Sequence, residues 1–370
     1  MNILVTGSNG FLGKNLISFL KQDKNLKIYS FDIENSFDEL ENILKNNVEL
    51  IFHLAGVNRP KTNDEFYKGN SDFTKTLVDL VLKYSKNIPI VFSSSIQVEL
   101  DNDYGKSKKL AEDVLIDYAK KSGAKVYIYR LQNLFGKWGK PNYNSVIATF
   151  CYNISRNFPI QISNRENIVK LLYIDDVVKE FYSIVKGEKK YNGYFYNIEK
   201  VFEKNLGEIV DLLYKFKNSR DDLTIFDFKD EFTKHLYETY ISYLPIENFS
   251  YKLKSNEDER GSLSEILKSD NFGQIFISYT KPGITRGNHY HQSKTEKFLV
   301  IKGEAIIKFR NIITNEKVEY KVSGNDLQVV DIPPGYTHSI TNIGKSELIT
   351  LFWSIEKFDK SNPDTFYEEV

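Results

Sequence analysis

The sequence predicts two domains: a doubly wound parallel α/β sheet over residues 1–245 and an all-β sandwich or barrel over 246–370. Three observations predict them. At 370 residues the chain exceeds a typical single domain. Up to about residue 245, short runs that are apolar nearly throughout alternate with longer amphipathic ones, the mark of parallel strands covered by helices on both faces. Beyond that point short alternating segments follow one another, broken by Gly, Pro and Asn, with almost no helical period.

In chain order, NILVTG (2–7), KIYSFD (27–32), LIFHLAG (50–56), PIVFSSS (89–95) and KVYIYRL (125–131) read as buried strands. Between them FLGKNLISFLKQ (11–22), FTKTLVDLVLKYSK (73–86) and KSKKLAEDVLIDYAKK (106–121) carry apolar residues at helical spacing. KNLGEIVDLLYKFKNSR (204–220) and DEFTKHLYETYISYL (230–244) add two further helices. The second domain offers GQIFISYTKPG, EKFLVIKGEAIIKFRN, KVEYKVSG, LQVVDIPPG and SELITLFWSI as strands. Charge narrows the function classes: 50 Lys plus Arg balance 50 Asp plus Glu, which gives no support for a nucleic-acid partner. A single cysteine, Cys151, rules out an intrachain disulfide and suits a reducing cytosol. Residue 2 leads directly into a strand and no apolar run is long enough to span a bilayer, so neither a signal peptide nor a membrane partner is expected.

Gly7, Gly10 and Gly13 stand at GxxGxxG spacing between the first strand and the first helix. Glycines there permit a tight turn and let backbone approach a pyrophosphate resting on the helix N-terminus. Asp32 ends the second strand, where a carboxylate accepts hydrogen bonds from ribose hydroxyls and repels an extra phosphate, favouring NADH over NADPH. Tyr104 and Lys108 lie four apart at the start of a helix and so share a face. A nearby ammonium stabilises tyrosinate, making the phenol a proton donor or acceptor near neutral pH. The SSS of 93–95 ends a strand, where a hydroxyl can meet the same substrate oxygen as Tyr104.

Together TGSNGFLG, HLAG (53–56), FSSS, YGKSK, RLQNLFG (130–136) and YIDDV (173–177) resemble an extended short-chain dehydrogenase/reductase, a Rossmann-type fold whose members mostly act on nucleotide-linked sugars. The resemblance implies Tyr104, Lys108 and Ser95 as catalytic residues, with Ser94 as the competing hydroxyl. It implies cofactor contacts at Gly7, Gly10, Phe11, Gly13, Asp32, Ala55, Gly56 and Lys108. Asn70 matches a position that supports the active-site backbone and water, or is an ordinary helix polar residue.

Near the other end, His289 and His291 are two apart and so share a face of a strand. Glu296 follows a turn and returns on the neighbouring strand, and His338 closes the set from a later one. Three imidazoles and a carboxylate suit Zn²⁺, Fe²⁺, Ni²⁺ or Mn²⁺, with Zn²⁺ the expected ion. The other two histidines, His53 and His235, are expected to be packing residues. The spacings G(x)5HxH(x)4E(x)6G (283–303) and PxG(x)2H(x)3N (333–342) resemble both halves of the cupin motif, a jelly-roll barrel. DERGSLSEI (258–266) resembles the DxRGxFxE strand of deoxysugar 3,5-epimerases, with Leu263 in place of Phe; the likeness implies substrate contacts at Arg260 and Glu265, which otherwise form a surface ion pair.

A sugar-nucleotide reductase followed by a metal-binding cupin resembles the CapF family of bacterial capsular polysaccharide enzymes, as do FGKWGKPNYNSVIATFCYNI, LGEIVDLLYKFK, YISYLP and KPGITRGNHYH. That resemblance implies a bifunctional enzyme acting on a UDP-linked 2-acetamido-2,6-dideoxy-4-ketohexose. The cupin epimerises C3 and the reductase then reduces the C4 ketone, giving UDP-N-acetyl-6-deoxy-L-talose, the precursor of UDP-N-acetyl-L-fucosamine. It also implies NADPH, a cytoplasmic location and a homodimer, whereas Asp32 and Glu34 in FDIEN lean towards NADH. The alternative is a single-activity UDP-sugar reductase or epimerase whose cupin is structural or dimerising.

Overall fold

The computed structural model describes residues 1–84, 87–361 and 363–370. The chain divides into two compact units, Met1–Lys215 with Lys234–Pro245, and Phe216–Thr233 with Ile246–Val370. Segment 216–233 therefore goes with the second unit although its periodicity assigns it to the first domain. Its backbone explains why: Ile225 N–H and Leu223 C=O pair with Lys268 and extend a sheet edge of the second unit.

In the first unit β1 (Asn2–Thr6), β2 (Lys27–Phe31), β3 (Leu50–His53), β4 (Ile90–Ser95) and β5 (Val126–Leu131) form the parallel core of a sheet. Its full order is β2-β1-β3-β4-β5-β8, after β6 (Asn133–Phe135) and β7 (Ile168–Tyr173) have left the sheet and β8 (Phe195–Tyr196) has rejoined it. β7 pairs with β6 on one side and β9 (Phe202–Asn205) on the other in a separate three-stranded sheet. β8 is two residues long, too short for any periodicity to announce it. One face of the large sheet buries Leu4, Ile51, Ile90 and Ile128 against Leu40, Leu77, Leu115 and Tyr118 of three helices, each large side chain adding roughly 1.5–3 kcal/mol. On the opposite face Phe52 stacks on Phe181 of the Ile174–Val185 helix. The predicted helix 73–86 runs Phe73–Tyr84; Ser85 and Lys86 lie outside the described residues. Strand order reverses between β1 and β3, and in such a sheet the crevice beyond the strands' carboxyl ends at that point is the binding place.

The second unit is a two-sheet jelly roll. Its strands are β10 (Ser255–Asp258), β11 (Gly261–Ser269), β12 (Gly273–Thr280), β13 (Thr285–Tyr290), β14 (Glu296–Lys302), β15 (Glu304–Asn311), β16 (Lys317–Ser323), β17 (Val329–Ile332), β18 (Tyr336–Asn342), β19 (Leu348–Ser354) and β20 (Phe366–Tyr367). One sheet runs β10-β11-β12-β19-β14-β17 and the other β16-β15-β18-β13-β20. Alternate residues of both, among them Phe298, Val300, Ile307, Phe309, Ile332 and Ile340, interdigitate as the core. No described helix is long and apolar enough to cross a membrane.

Candidate active site and metal centre

The glycine-rich loop leaves β1 and enters the Phe11–Leu20 helix, whose N-cap, Gly10, makes no side-chain capping bond. A Cβ on Gly13 would lie 2.1 Å from the Gly7 carbonyl oxygen, so the helix can start this close to the strand only with glycine there. A Cβ on Gly7 would lie 2.6 Å from the Ala55 nitrogen, which shows that the loops after β1 and β3 meet at the switch point. Phe11 opens the helix, and its carbonyl accepts from buried Asn15 at 2.9 Å. Asp32 turns towards this loop: one carboxylate oxygen accepts from Asn9 N–H at 2.6 Å and the other from Ile33 N–H at 2.8 Å. Glu34 takes the Asn9 side-chain amide at 3.2 Å. The mouth of the loop is thus flanked by two carboxylates.

The Asp103–Ser122 helix starts where Asn102 caps it, its side chain accepting from Gly105 N–H at 2.7 Å. This places Tyr104 and Lys108 on its first two turns, facing the carboxyl end of β4. Lys108 is buried, donates to the Ser93 carbonyl at 3.0 Å and lies 4.8 Å from the centre of the Phe92 ring. Burial lowers its pKa to about 8. Tyr104 departs from the sequence expectation. Burial raises its pKa and the Ser95 hydroxyl opposes this by hydrogen bonding, while the ammonium is drawn to Ser93 rather than to the phenol. The phenol therefore keeps its proton, the state of a donor.

The alternation of β4 separates the two candidate serines. Ser94 donates to Glu112 at 2.6 Å, and that fully buried carboxylate is also held by Arg130 at 2.7 and 2.9 Å. Ser95 lies on the other face, beside Tyr104, and accepts from Gln97 N–H at 3.2 Å. Asn70 sits in a π-helical turn, Lys68–Asp72, a feature frequent at functional sites. It bonds both the N–H and the C=O of Val57 at 3.0 Å and donates to Ser107 at 2.9 Å, so it supports the backbone next to Ala55 and Gly56. Ser107 and Glu112 carry no sequence signal of their own; only the fold brings them to Asn70 and Ser94. His53 is buried between Thr6 and Thr74 hydroxyls at 2.8 and 2.9 Å, and His235 stacks on Tyr173 at 3.9 Å, both packing roles.

In the jelly roll, His289, His291, Glu296 and His338 present one donor atom each, all within 4.8 Å of one another. His289 of β13 stands directly opposite His338 of β18. Glu296 differs from expectation: β14 belongs to the facing sheet, so the carboxylate arrives from across the sandwich and not from a neighbouring strand. A bulge at Gly287–Asn288 tilts β13 so that His289 and His291 both point inward. His291 Nδ1 meets the Asp364 carbonyl at 2.6 Å, and Gly335 N–H donates to the His291 carbonyl at 2.8 Å. Nε2 of His291 and of His338 are buried without hydrogen-bond partners. Such orphaned nitrogens cost about 1–3 kcal/mol each unless something binds them. Glu296 lies 3.4 Å from His291 Nε2 and 3.8 Å from His338 Nε2. Donors on a tetrahedral zinc stand roughly 3.3 Å apart, so the residues fit a divalent ion. Burial lowers the pKa of His338 to about 3 and lowers that of His289, which keeps both imidazoles neutral, the ligand form.

Arg260 and Glu265 are not brought together. Arg260 is on an exposed turn with Nε and Nη2 on Asp258 at 2.9 and 2.5 Å. Glu265 stands in register with Phe276 and is half-buried; its Oε1 is buried without a hydrogen-bond partner, with Lys268 Nζ 3.2 Å away. Asp364, the residue that secures the His291 loop, was invisible to sequence reading because nothing in its local context marks it.

Residues 3–198 match the NAD dependent epimerase/dehydratase family, and residues 256–366 match the polysaccharide biosynthesis C-terminal domain. A Pseudomonas aeruginosa protein, UDP-2-acetamido-2,6-beta-L-arabino-hexul-4-ose reductase, is 45% identical over 366 residues, covering 99% of this chain and 98% of its own. The crystal structure of the capsular polysaccharide assembling protein CapF from Staphylococcus aureus superposes with a TM-score of 0.94 at 47% identity, over 100% of both chains. UDP-glucuronic acid 4-epimerase from Bacillus cereus, in complex with NAD, shares the fold of the first unit at 18% identity and TM-score 0.53, covering 59% of this chain and 83% of that one. The likeness to the Pseudomonas and Staphylococcus proteins runs over essentially the whole of this chain, across both the α/β unit and the jelly roll, and the chain belongs to the CapF family.

Proposed function

We propose that this chain is a bifunctional nucleotide-sugar enzyme acting on a UDP-linked 2-acetamido-2,6-dideoxy-4-ketohexose. Its cupin epimerises C3, and its reductase then reduces the C4 ketone to give UDP-N-acetyl-6-deoxy-L-talose, the precursor of UDP-N-acetyl-L-fucosamine for capsule or O-antigen. The observation that carries the reductase is Ser95 beside Tyr104, with Lys108 one turn further along the same helix and its Nζ against Gly56, on the loop that meets the glycine-rich turn. A bound nicotinamide dinucleotide supplies the hydride. Tyr104 gives its proton to the C4 oxygen while Ser95 holds that oxygen by a hydrogen bond. Lys108 holds ribose hydroxyls, and Gly7, Gly10, Phe11, Gly13, Ala55 and Gly56 form the dinucleotide cradle. Asp32 and Glu34, turned onto Asn9, leave no room for an extra phosphate charge, which supports NADH.

The C3 proton is acidified by the adjacent ketone, so it can be removed from one face and returned to the other, and the product is still the ketone that the reductase needs. The likeness of 258–266 to the epimerase strand supports Arg260 and Glu265 as substrate contacts in the cupin, each acting separately, since Arg260 pairs with Asp258 and Glu265 lies beside Lys268. His289, His291, Glu296 and His338 hold one Zn²⁺ that orders the pocket and strands, since four protein ligands on a tetrahedral ion leave no open position. That same count favours, as a second reading, a single-activity enzyme whose cupin only stabilises and pairs the chains of a cytoplasmic homodimer. Mass spectrometry of products formed from UDP-4-keto-6-deoxy-N-acetylhexosamine in deuterated water, with NADH or NADPH supplied or withheld, tests both. Deuterium at C3 without cofactor and a reduced product with it support two steps; reduction without C3 exchange leaves the single-activity reading.

A further inference from the structure

We propose that Asp364 is a positioning residue of the metal centre, and that the C-terminal segment 363–369 is a clasp whose docking is coupled to metal binding. The proposal rests on the reading of His289, His291, Glu296 and His338 as metal ligands. The loop between His291 and Glu296 has its own backbone donors to satisfy, and Asp364 takes three in succession. Gln292 N–H donates to Oδ1 at 2.9 Å, and Ser293 and Lys294 N–H donate to Oδ2 at 3.0 and 2.9 Å. The Ser293 hydroxyl adds a fourth bond at 3.1 Å. The main chain of the same residue does a second task. Its carbonyl accepts from His291 Nδ1 at 2.6 Å, which fixes the tautomer that leaves Nε2 free to face the other ligands. Asp364 holds φ at 38°, a conformation that a non-glycine residue keeps only when its surroundings enforce it.

The rest of the segment reaches the other two histidines. Tyr367 pairs with His289 across β20 and β13, and Glu368 N–H donates to the Asn288 carbonyl at 3.0 Å, on the bulge. Thr337, next to His338, donates to the Glu368 carbonyl, and Arg310 pairs with the Glu368 carboxylate at 2.6 Å. One short segment therefore touches the neighbourhood of three of the four donors, His289, His291 and His338. Whatever factor tail docking adds to metal affinity, metal must add to tail docking.

The test uses the full chain, with Zn²⁺ affinity measured by chelator competition, the visible spectrum of the Co²⁺ form, and carboxypeptidase release of the C-terminus with and without Zn²⁺. D364A should weaken Zn²⁺ binding about tenfold or more, the size of effect usual for partners of metal ligands, and shift the Co²⁺ bands. D364N, whose amide oxygen still accepts N–H bonds, should lose less. Arg310→Ala loosens the tail but spares the His291 bond, and should leave the Co²⁺ spectrum unchanged. Zn²⁺ should slow digestion of the wild-type tail. Affinity of D364A within about twofold of wild type, or digestion indifferent to Zn²⁺ in a wild type that binds it, overturns the clasp while leaving the metal centre standing. The digestion arm needs no variant, so it decides the question even should D364A fold poorly. Wild-type protein that binds neither Zn²⁺ nor Co²⁺ overturns the metal centre, and the clasp with it.

Discussion

Tyr104 keeps its proton because burial disfavours the phenolate more than the Ser95 bond stabilises it, and a ketone reduction needs that proton delivered. Tyr104→Phe retains the ring and removes the donor, so reduction should fall by about 10²-fold or more while exchange at C3 persists. Full reductase activity in this variant would falsify the assignment. Asp32→Ala removes the carboxylate that occupies Asn9 N–H, and the ratio of kcat/KM for NADPH over NADH should rise. An unchanged strong preference for NADPH in wild type and variant would show that Asp32 does not choose the cofactor. Lys108 yields a linked prediction. Its folded pKa of about 8 lies below the ordinary lysine value of 10.5, so the unfolded chain binds the extra proton between those two pH values. Stability should therefore rise with pH across that window. Lys108→Met should remove this dependence and stabilise the cofactor-free protein by up to roughly 3 kcal/mol at pH 7, while abolishing reduction. Denaturant titrations of both proteins at pH 7 and pH 10 decide it: an equal gap at the two values sinks the argument.

At the scale of elements, the bulge in β13 sets the aim of two imidazoles at once. Gly287 adopts φ 97°, and a Cβ there would lie 2.6 Å from the His338 carbonyl oxygen. Gly287→Ala should cost about 1–3 kcal/mol through backbone strain and push β18 away from β13, weakening metal binding. Thermal melting and metal stoichiometry measured together test this; a variant with native melting and full occupancy would show that the bulge tolerates a side chain. The π-helical turn around Asn70 is the counterpart in the first unit. One extra residue per turn rotates the Asn70 amide onto both polar groups of Val57, something a regular helix at that place would not do.

For the whole molecule, separate cores predict separable losses. His338→Ala should lose the bound ion, read by elemental analysis, and lower the melting temperature of the jelly roll while the α/β unit keeps its own transition. Reduction of an already epimerised ketone should continue. If C3 exchange falls only in step with unfolding, the ion is structural; if it vanishes in a folded protein, the ion takes part in the chemistry. Metal-free protein with normal melting and normal exchange excludes both roles.

The sequence alone determined the order of the two folds, because a parallel sheet buried on both faces and a half-buried antiparallel one leave different periodicities. It also determined the histidine set, since His289 and His291 at strand spacing and His338 in its turn motif belong to a fixed local geometry. Local spacing does not reach across the sandwich, so the side from which Glu296 arrives was decided only by the pairing of β14 with β17 and β19. That Ser95 and not Ser94 lies beside Tyr104 was likewise decided by which face of β4 meets Glu112. The direction of the Tyr104 shift depended on how deeply the fold buries the phenol, and the place of segment 216–233 on the edge that Lys268 leaves open. Asp364 stands 70 to 72 residues from the loop amides it secures, and those partners are backbone N–H groups, which every residue but proline supplies. Contacts of that kind carry no side-chain signature, and only the folded chain can reveal them.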